Sequence, residues 1–153
     1  MPLPALALLD QRAYAGTVDA LLTGPELVHH ERILDELLHH RLGRLLDEAS
    51  MALVEVDTGA LVGLILTAEI SAHAAVLLDV AVEPMARRKG YGRFLLQWTF
   101  RALRALGYEE VRLWVTEENR TARHLYDQLG FRPAGRATLY RWERGSGQPH
   151  SGA

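Results

Sequence analysis

Apolar residues in this chain recur at two different periods, and the switches between them mark its elements. Helical spacing runs from Glu26 to Leu46, where Leu27, Ile33, Leu34, Leu37, Leu38 and Leu42 form one stripe and Gly43 breaks or caps it. It returns from Gly90 to Leu106, with Leu95, Trp98, Ala102 and Leu106 on one face and Gly107 as the C-terminal cap. A third helix starts at Asn119, a favourable N-cap, and runs to Leu129, with Gly130 ending it. Thr17 to Leu22 reads as a short helix closed by Gly24-Pro25. Strands are predicted at Met51–Val56, Leu61–Ile70, Ala75–Val82, Val111–Thr116 and Thr138–Trp142, the third of them stopped at Pro84. Leu3 to Leu9 is read as a first strand, although its alternation is not clean. Asp57-Thr58-Gly59-Ala60 is a hairpin turn, in which Gly59 supplies the positive φ such turns need.

Three strands in succession imply an antiparallel meander. The step from strand 75–82 through helix 90–106 to strand 111–116 implies a parallel, right-handed crossover. The predicted fold class is therefore α/β: a mixed sheet covered by helices on both faces. A chain of 153 residues is expected to form one domain, here residues 1–144. Residues 145–153 (GSGQPHSGA) have nothing to bury and are expected to be a disordered tail.

Composition removes several classes. The chain has no Cys, hence no disulfide framework, thiolate metal site or Cys nucleophile. No apolar run approaches the ~18 residues of a membrane span. Met1 to Leu9 has neither a basic n-region nor a small-residue cleavage site, so it reads as mature sequence and a cytoplasmic location is expected. The net charge of −2 hides an asymmetry. Residues 1–84 carry four Arg against thirteen Asp and Glu, whereas residues 85–153 carry thirteen Arg and Lys against six acids. The basic half suits a polyanion and the acidic half suits a cation. Nucleic acid fits poorly, because the basic residues are scattered and the whole chain is slightly acidic. A small, multiply phosphorylated cofactor fits as well, and a merely solvated surface would carry the same charges.

The most informative stretch is Val80-Ala81-Val82-Glu83-Pro84-Met85-Ala86-Arg87-Arg88-Lys89-Gly90-Tyr91-Gly92-Arg93. A strand stops at a proline, a basic loop follows, and two glycines open a helix. Such a loop makes an anion site: glycines let backbone N–H groups approach a phosphate, and the helix N-terminus adds partial positive charge. It is not a P-loop, having no Gly-Lys-Ser/Thr, and not a dinucleotide fingerprint, because Leu95 takes the third glycine position.

Pro84-x-x-Arg87-x-x-Gly90-x-Gly92 resembles the coenzyme-A signature of the GNAT acyltransferase superfamily, whose core is Arg/Gln-x-x-Gly-x-Gly/Ala. Leu113-Trp114-Val115, followed by Asn119-x-x-Ala122-x-x-Leu125-Tyr126-x-x-Leu129-Gly130-Phe131, resembles the second motif of that family. Together they cover residues 76–131 in the family's order, whereas the segment before residue 50 shows no motif. The resemblance implies a central, mostly antiparallel sheet of six to seven strands with one parallel pair splayed apart, and an acetyl-coenzyme-A-dependent N-acetyltransferase. It implies a pantetheine arm lying between the splayed strands and paired with the backbone of Val80, Ala81 and Val82. Arg87, Arg88, Lys89, Gly90, Tyr91, Gly92 and Arg93 would hold the pyrophosphate. Asn119 would contact the pantetheine, Ala122 would line the coenzyme, and Arg120 and Arg123 would help with the adenosine phosphates, although single Arg residues also read as merely solvated. Tyr126, which also borders the coenzyme, would be the general acid at the leaving sulfur. The implied partners are acetyl-coenzyme A and an amine acceptor, with a homodimer as the family's common assembly.

The amine must lose a proton. Asp79, a charge set mid-strand among Val76, Leu77, Leu78 and Val80, is the first candidate base, with Glu69 and Glu83 behind it. Each also reads as a rim carboxylate paired with Arg, and some family members use water instead. With no Cys and no Gly-x-Ser-x-Gly elbow, transfer would be direct within a ternary complex. His29-His30 and His39-His40 are read as a solvated or rim face of the long helix. No metal site is expected: the His30-Glu31 start of a His-Glu-x-x-His pattern meets Leu34 where the second His belongs. Trp98 and Trp114 are read as core, with Trp114 as an alternative border of the substrate cleft. Two other functions stay open: a coenzyme-binding sensor without chemistry, and a polyanion binder using the basic half.

Overall fold

The structure is a computed structural model and covers residues 2–41 and 43–138, apart from the side chains of Leu21 and Leu22. Helices α1 (Leu3–Tyr14), α2 (Ala20–Thr23) and α3 (Leu27–Leu38) come first. Strands β1 (Met51–Val54), β2 (Leu61–Ser71) and β3 (Ala74–Val82) follow, and then α4 (Tyr91–Ala105), β4 (Glu110–Leu113) and α5 (Arg120–Gln128). The strands form one sheet in the order β1-β2-β3-β4. The first two pairings are antiparallel and β3–β4 is parallel, as the meander and crossover require. The hairpin turns at Gly59, with φ +68°.

The segment expected to be a first strand is α1. Its buried residues Leu6, Leu9, Asp10 and Ala13 recur at i, i+3, i+4 and i+7, a helical face masked in the sequence by the leucines around it. Leu and Ala are strong helix formers, and Pro4 lies in the first turn, where an N–H has no intrahelical acceptor. The described residues therefore hold four strands and not six to seven. Of the expected strand Thr138–Trp142, all but Thr138 lies outside the described residues, as do residues 145–153.

Helix α3 ends eight residues short of the expected Leu46. His40 adopts a left-handed φ of +57°. Its N–H donates to the Leu37 carbonyl at 3.1 Å and the Arg41 N–H to the Glu36 carbonyl at 2.9 Å, a Schellman ending made without glycine. Leu45 then bridges to Ala68 on β2. The buried face of α4 is Leu95, Leu96, Thr99 and Leu103, rotated from the expected stripe, and Leu106 is exposed. Thr99 is tolerated there because its hydroxyl donates to the Ala49 carbonyl at 3.2 Å.

Helices cover both faces of the sheet. Leu64, Leu66 and Ala81 pack with Leu6, Leu9, Leu34 and Leu37 of α1 and α3. Ile65 and Leu77 pack with Leu95 and Leu96 of α4, and Leu125, Tyr126 and Leu129 of the α5 segment close that side. The β2–β3 register shifts between Leu66, opposite Asp79, and Thr67, opposite Leu77, so Leu78 is an inserted residue. Cross-strand partners share a face, so this bulge turns Asp79 toward α1, beside Leu66.

Candidate functional site

Strands β3 and β4 pair only from Ala74–Glu110 to Leu77–Leu113. Residues 78–82 of β3 run on beside β2 but beyond β4, so their outer edge has no strand partner among the described residues. The β3–β4 pairing thus ends at Leu77, five residues before β3 itself ends and the chain turns into the basic loop.

The loop then builds a run of free donors. Arg88 has φ +64° and Gly90 has φ +85°, both left-handed. Gly90 is the N-cap of α4 and offers no side chain to its first turn. The backbone N–H groups of residues 88–93 have no acceptor among the described residues; the Phe94 N–H is the first to bond, to the Gly90 carbonyl at 2.9 Å. Consecutive unpaired N–H groups at a helix start form a concave anion site. A Cβ at Gly92 would meet only Leu125 and Val82, at ordinary distances of 3.6 and 3.8 Å. The fold itself thus does not require glycine there, and a closely approaching ligand would. The free donors and the open β3 edge fit a phosphorylated coenzyme with an extended arm.

The basic side chains divide. Arg88 is exposed. Lys89 Nζ lies 3.7 Å from Glu55 of the β1–β2 hairpin, and Tyr91 Oη reaches the same carboxylate at 3.4 Å. Arg93 donates to Gln128 of α5. Arg87 turns away and donates to the Ala13 carbonyl at 2.5 Å, tying the loop to α1. Arg123 donates to the Glu117 carbonyl at 2.9 Å.

Asn119 caps α5 through Oδ1, which accepts the Ala122 N–H at 3.1 Å. Its Nδ2 donates to Asp19 at 2.5 Å, and Thr116 donates to the other oxygen of the same carboxylate. Both ends of the Asn119 amide are thus engaged within the protein. Asp19 was not singled out in the sequence; only the fold brings α2 against the loop after β4.

Tyr126 packs edge-on against Phe131, ring centroids 5.6 Å apart. Burial, and then the charges of Asp19 and Asp79, push its phenol up to about 12, so it holds its proton at physiological pH. Asp79 is 7% exposed. Its Oδ1 accepts the Tyr14 hydroxyl at 2.8 Å. Burial first, and then the neighbouring Asp10 charge, raise its carboxyl well above the usual range, against the Tyr14 hydrogen bond that lowers it. Burial raises Asp10 to about 6. Tyr14 is raised well above its ordinary value, by burial first and by Asp79 next.

The other candidate carboxylates lie elsewhere. Glu69, at the far end of β2, is held by Arg44 at 2.6 Å and Tyr108 at 2.5 Å, and Arg44 keeps it below the usual carboxylate range. Glu83 pairs with Arg12 of α1 at 2.8 Å. Contrary to expectation, His30 is buried, at 1% exposed, because Leu27, His30, Leu34 and Leu37 share the inner face of α3. Trp114 is 78% exposed, not core, because it follows the last paired residue of β4. Among the described residues no cluster of three His, Asp or Glu is placed to hold a metal ion, and no helix is long and apolar enough to cross a membrane.

The profile of the Acetyltransferase (GNAT) family matches residues 17–131, and the chain belongs to that family. A 54-residue stretch is 43% identical to mycothiol acetyltransferase of Beutenbergia cavernae; it covers 35% of this chain and spans 18% of the length of that relative. The ribosomal-protein-S18-alanine N-acetyltransferase of Escherichia coli superposes with a TM-score of 0.65 at 26% identity, over 87% of this chain and 73% of that one. The PaiA N-acetyltransferase of Thermoplasma acidophilum, solved in complex with coenzyme A, shares the fold with a TM-score of 0.67 at 22% identity, over 85% and 83% of the chains.

Proposed function

We propose that the chain transfers an acetyl group from acetyl-coenzyme A directly to a primary amine, either a small cationic amine or a peptide amine. The observation that carries this reading is the run of unpaired N–H groups from Arg88 to Arg93 in the loop that follows the open end of β3. The coenzyme supplies the activated thioester. In this reading the backbone of Val80, Ala81 and Val82 pairs with its extended arm. Lys89, Gly90, Tyr91, Gly92 and Arg93 hold its pyrophosphate through N–H groups, and Arg88 adds an exposed charge. Arg87 acts through the loop, by anchoring it to Ala13. Asn119 shapes the slot by ordering α5 and holding Asp19. Ala122 and Arg123 lie on the α5 turn that borders it.

Tyr126 keeps its proton and offers it to the departing sulfur. Asp79 accepts the proton that the amine gives up; its raised affinity for a proton suits that task. The acid-rich half of the chain favours a cationic acceptor. Thiol release from acetyl-coenzyme A over a panel of polyamines, aminoglycosides and peptide amines tests the reading. Release that depends on both an amine and Tyr126 supports it, and no release with any amine overturns it.

A further inference from the structure

Asp79 is one link in a buried chain of hydrogen bonds that leads from the candidate site into the molecule. Tyr14 Oη donates to Asp79 Oδ1 at 2.8 Å. The carboxyl groups of Asp79 and Asp10 lie within hydrogen-bond reach of each other. Asp10 Oδ2 is 2.6 Å from His30 Nδ1, and His30 Nε2 is 3.0 Å from the Gly24 carbonyl. That carbonyl only accepts, so Nε2 carries a proton. Among the described residues, Asp10 Oδ1 and Asp79 Oδ2 are buried carboxylate oxygens with no donor. A single proton shared between them satisfies both, and two bare carboxylates side by side in a dry site would not persist.

Accessibility gives the chain a direction. Asp79, Asp10 and His30 are 7%, 4% and 1% exposed, whereas Tyr14 is only half-buried. Tyr14 is thus the most exposed member of the chain, and Tyr126 lies within electrostatic reach of it. The groups that face Asp79 are Tyr14 and Asp10 from α1, with Tyr126 from α5 within reach of its charge; His30 from α3 faces Asp10.

We infer that Tyr14, Asp79, Asp10 and His30 form one proton-accepting chain, in which Tyr14 meets the acceptor amine and Asp10 and His30 position the buried end. The inference rests on the acetyl-transfer reading above. As the amine attacks the thioester, an amine N–H bond breaks and its proton moves to Tyr14 Oη. The original Tyr14 proton moves to Asp79 Oδ1, so the phenol is neutral before and after. The carboxyl pair, sharing one proton between Asp10 Oδ1 and Asp79 Oδ2 before, gains a second at Asp79 Oδ1 and becomes less negative by one charge. No other reagent is consumed. Tyr14 is the catalytic member, while Asp10 and His30 act through Asp79.

Isotope-edited infrared spectroscopy of the free protein tests the shared proton without an acceptor. Near neutral pH, a protonated carboxyl C=O band is expected, and Asp79→Asn should abolish or displace it. In Asp10→Asn the neighbouring charge is gone, so the band should disappear on raising pH about one unit or more earlier than in the wild type. Tyr14→Phe should lower amine-dependent thiol release roughly 100-fold while leaving acetyl-coenzyme A affinity within about twofold. A wild-type protein without the band, a midpoint unmoved by Asp10→Asn, or full turnover in Tyr14→Phe overturns the chain while leaving acetyl transfer intact. The expected band in a protein that acetylates no amine overturns it from the other side, through the function on which it rests.

Discussion

Asn119 and Asp19, a hundred residues apart in sequence, are joined side chain to side chain at 2.5 Å. The contact fastens the start of α2 to the start of α5, beside the Tyr126 ring. Asp19→Ala would leave the Asn119 amide and the Thr116 hydroxyl without an acceptor, at a cost of about 1–2 kcal/mol in unfolding free energy. Asp19→Asn would also remove a charge that holds the Tyr126 phenol up. The phenol should then titrate below its wild-type value of about 12, as read by ultraviolet difference titration against Tyr126→Phe. An unchanged titration would place Asp19 outside the field of Tyr126.

Gly92 separates fold from function. Its Cβ position is free of close contacts, and it lies in the first turn of α4, where Ala is the better helix former. Gly92→Ala should keep or slightly raise the melting temperature while weakening acetyl-coenzyme A binding at least tenfold. Gly90→Ala differs: its φ of +85° makes the substitution strained, at about 1 kcal/mol. Equal loss of stability in the two variants would contradict this division.

The buried carboxyl pair makes stability depend on pH with an unusual sign. Asp10 is raised to about 6 and Asp79 well above its ordinary value, so the folded state binds more protons than the unfolded chain. Their contribution is fully present below the unfolded value near 4 and is lost as pH rises through the folded values. Relative to wild type, Asp79→Asn should therefore gain stability as pH rises from the unfolded value near 4 through the Asp10 value of about 6, in urea melts at both ends. A difference that stays constant across that range would show that the pair is not raised.

Tyr126→Phe keeps the ring that packs on Phe131 and removes only the hydroxyl. Acetyl-coenzyme A affinity and melting temperature should be unchanged, and thiol release with the best amine should fall roughly 100-fold. Unchanged turnover would take Tyr126 out of the chemistry.

What the sequence reveals is what short-range chemistry decides. Gly59 marks the hairpin, Asn119 marks the α5 cap, and Pro84 to Gly92 mark the turn from β3 into the donor loop, because each acts on its own neighbours. Leu3 to Leu9 misleads because leucine or alanine at every position but Pro4 blurs both periods; the helix shows only once Leu6, Leu9, Asp10 and Ala13 share a face. Asp79 was legible as a charge in an apolar strand, but its direction comes from the bulge at Leu78. Tyr14, Asp10 and His30 carry no local signal. They meet because α1 and α3 pack together over the same face of the sheet, and His30 looks like a solvent-facing neighbour of His29 until α3 is oriented.

The central claim is that the free N–H groups of residues 88–93 hold a coenzyme phosphate. Titration calorimetry with acetyl-coenzyme A, on the wild type and on the paired substitution Arg88→Glu and Gly90→Asp, tests it most directly. Saturable binding in the wild type, lost in a variant whose circular dichroism spectrum is unchanged, is the predicted result. A folded wild-type protein that gives no binding heat at any accessible concentration, or a variant that binds as tightly as the wild type, would contradict it.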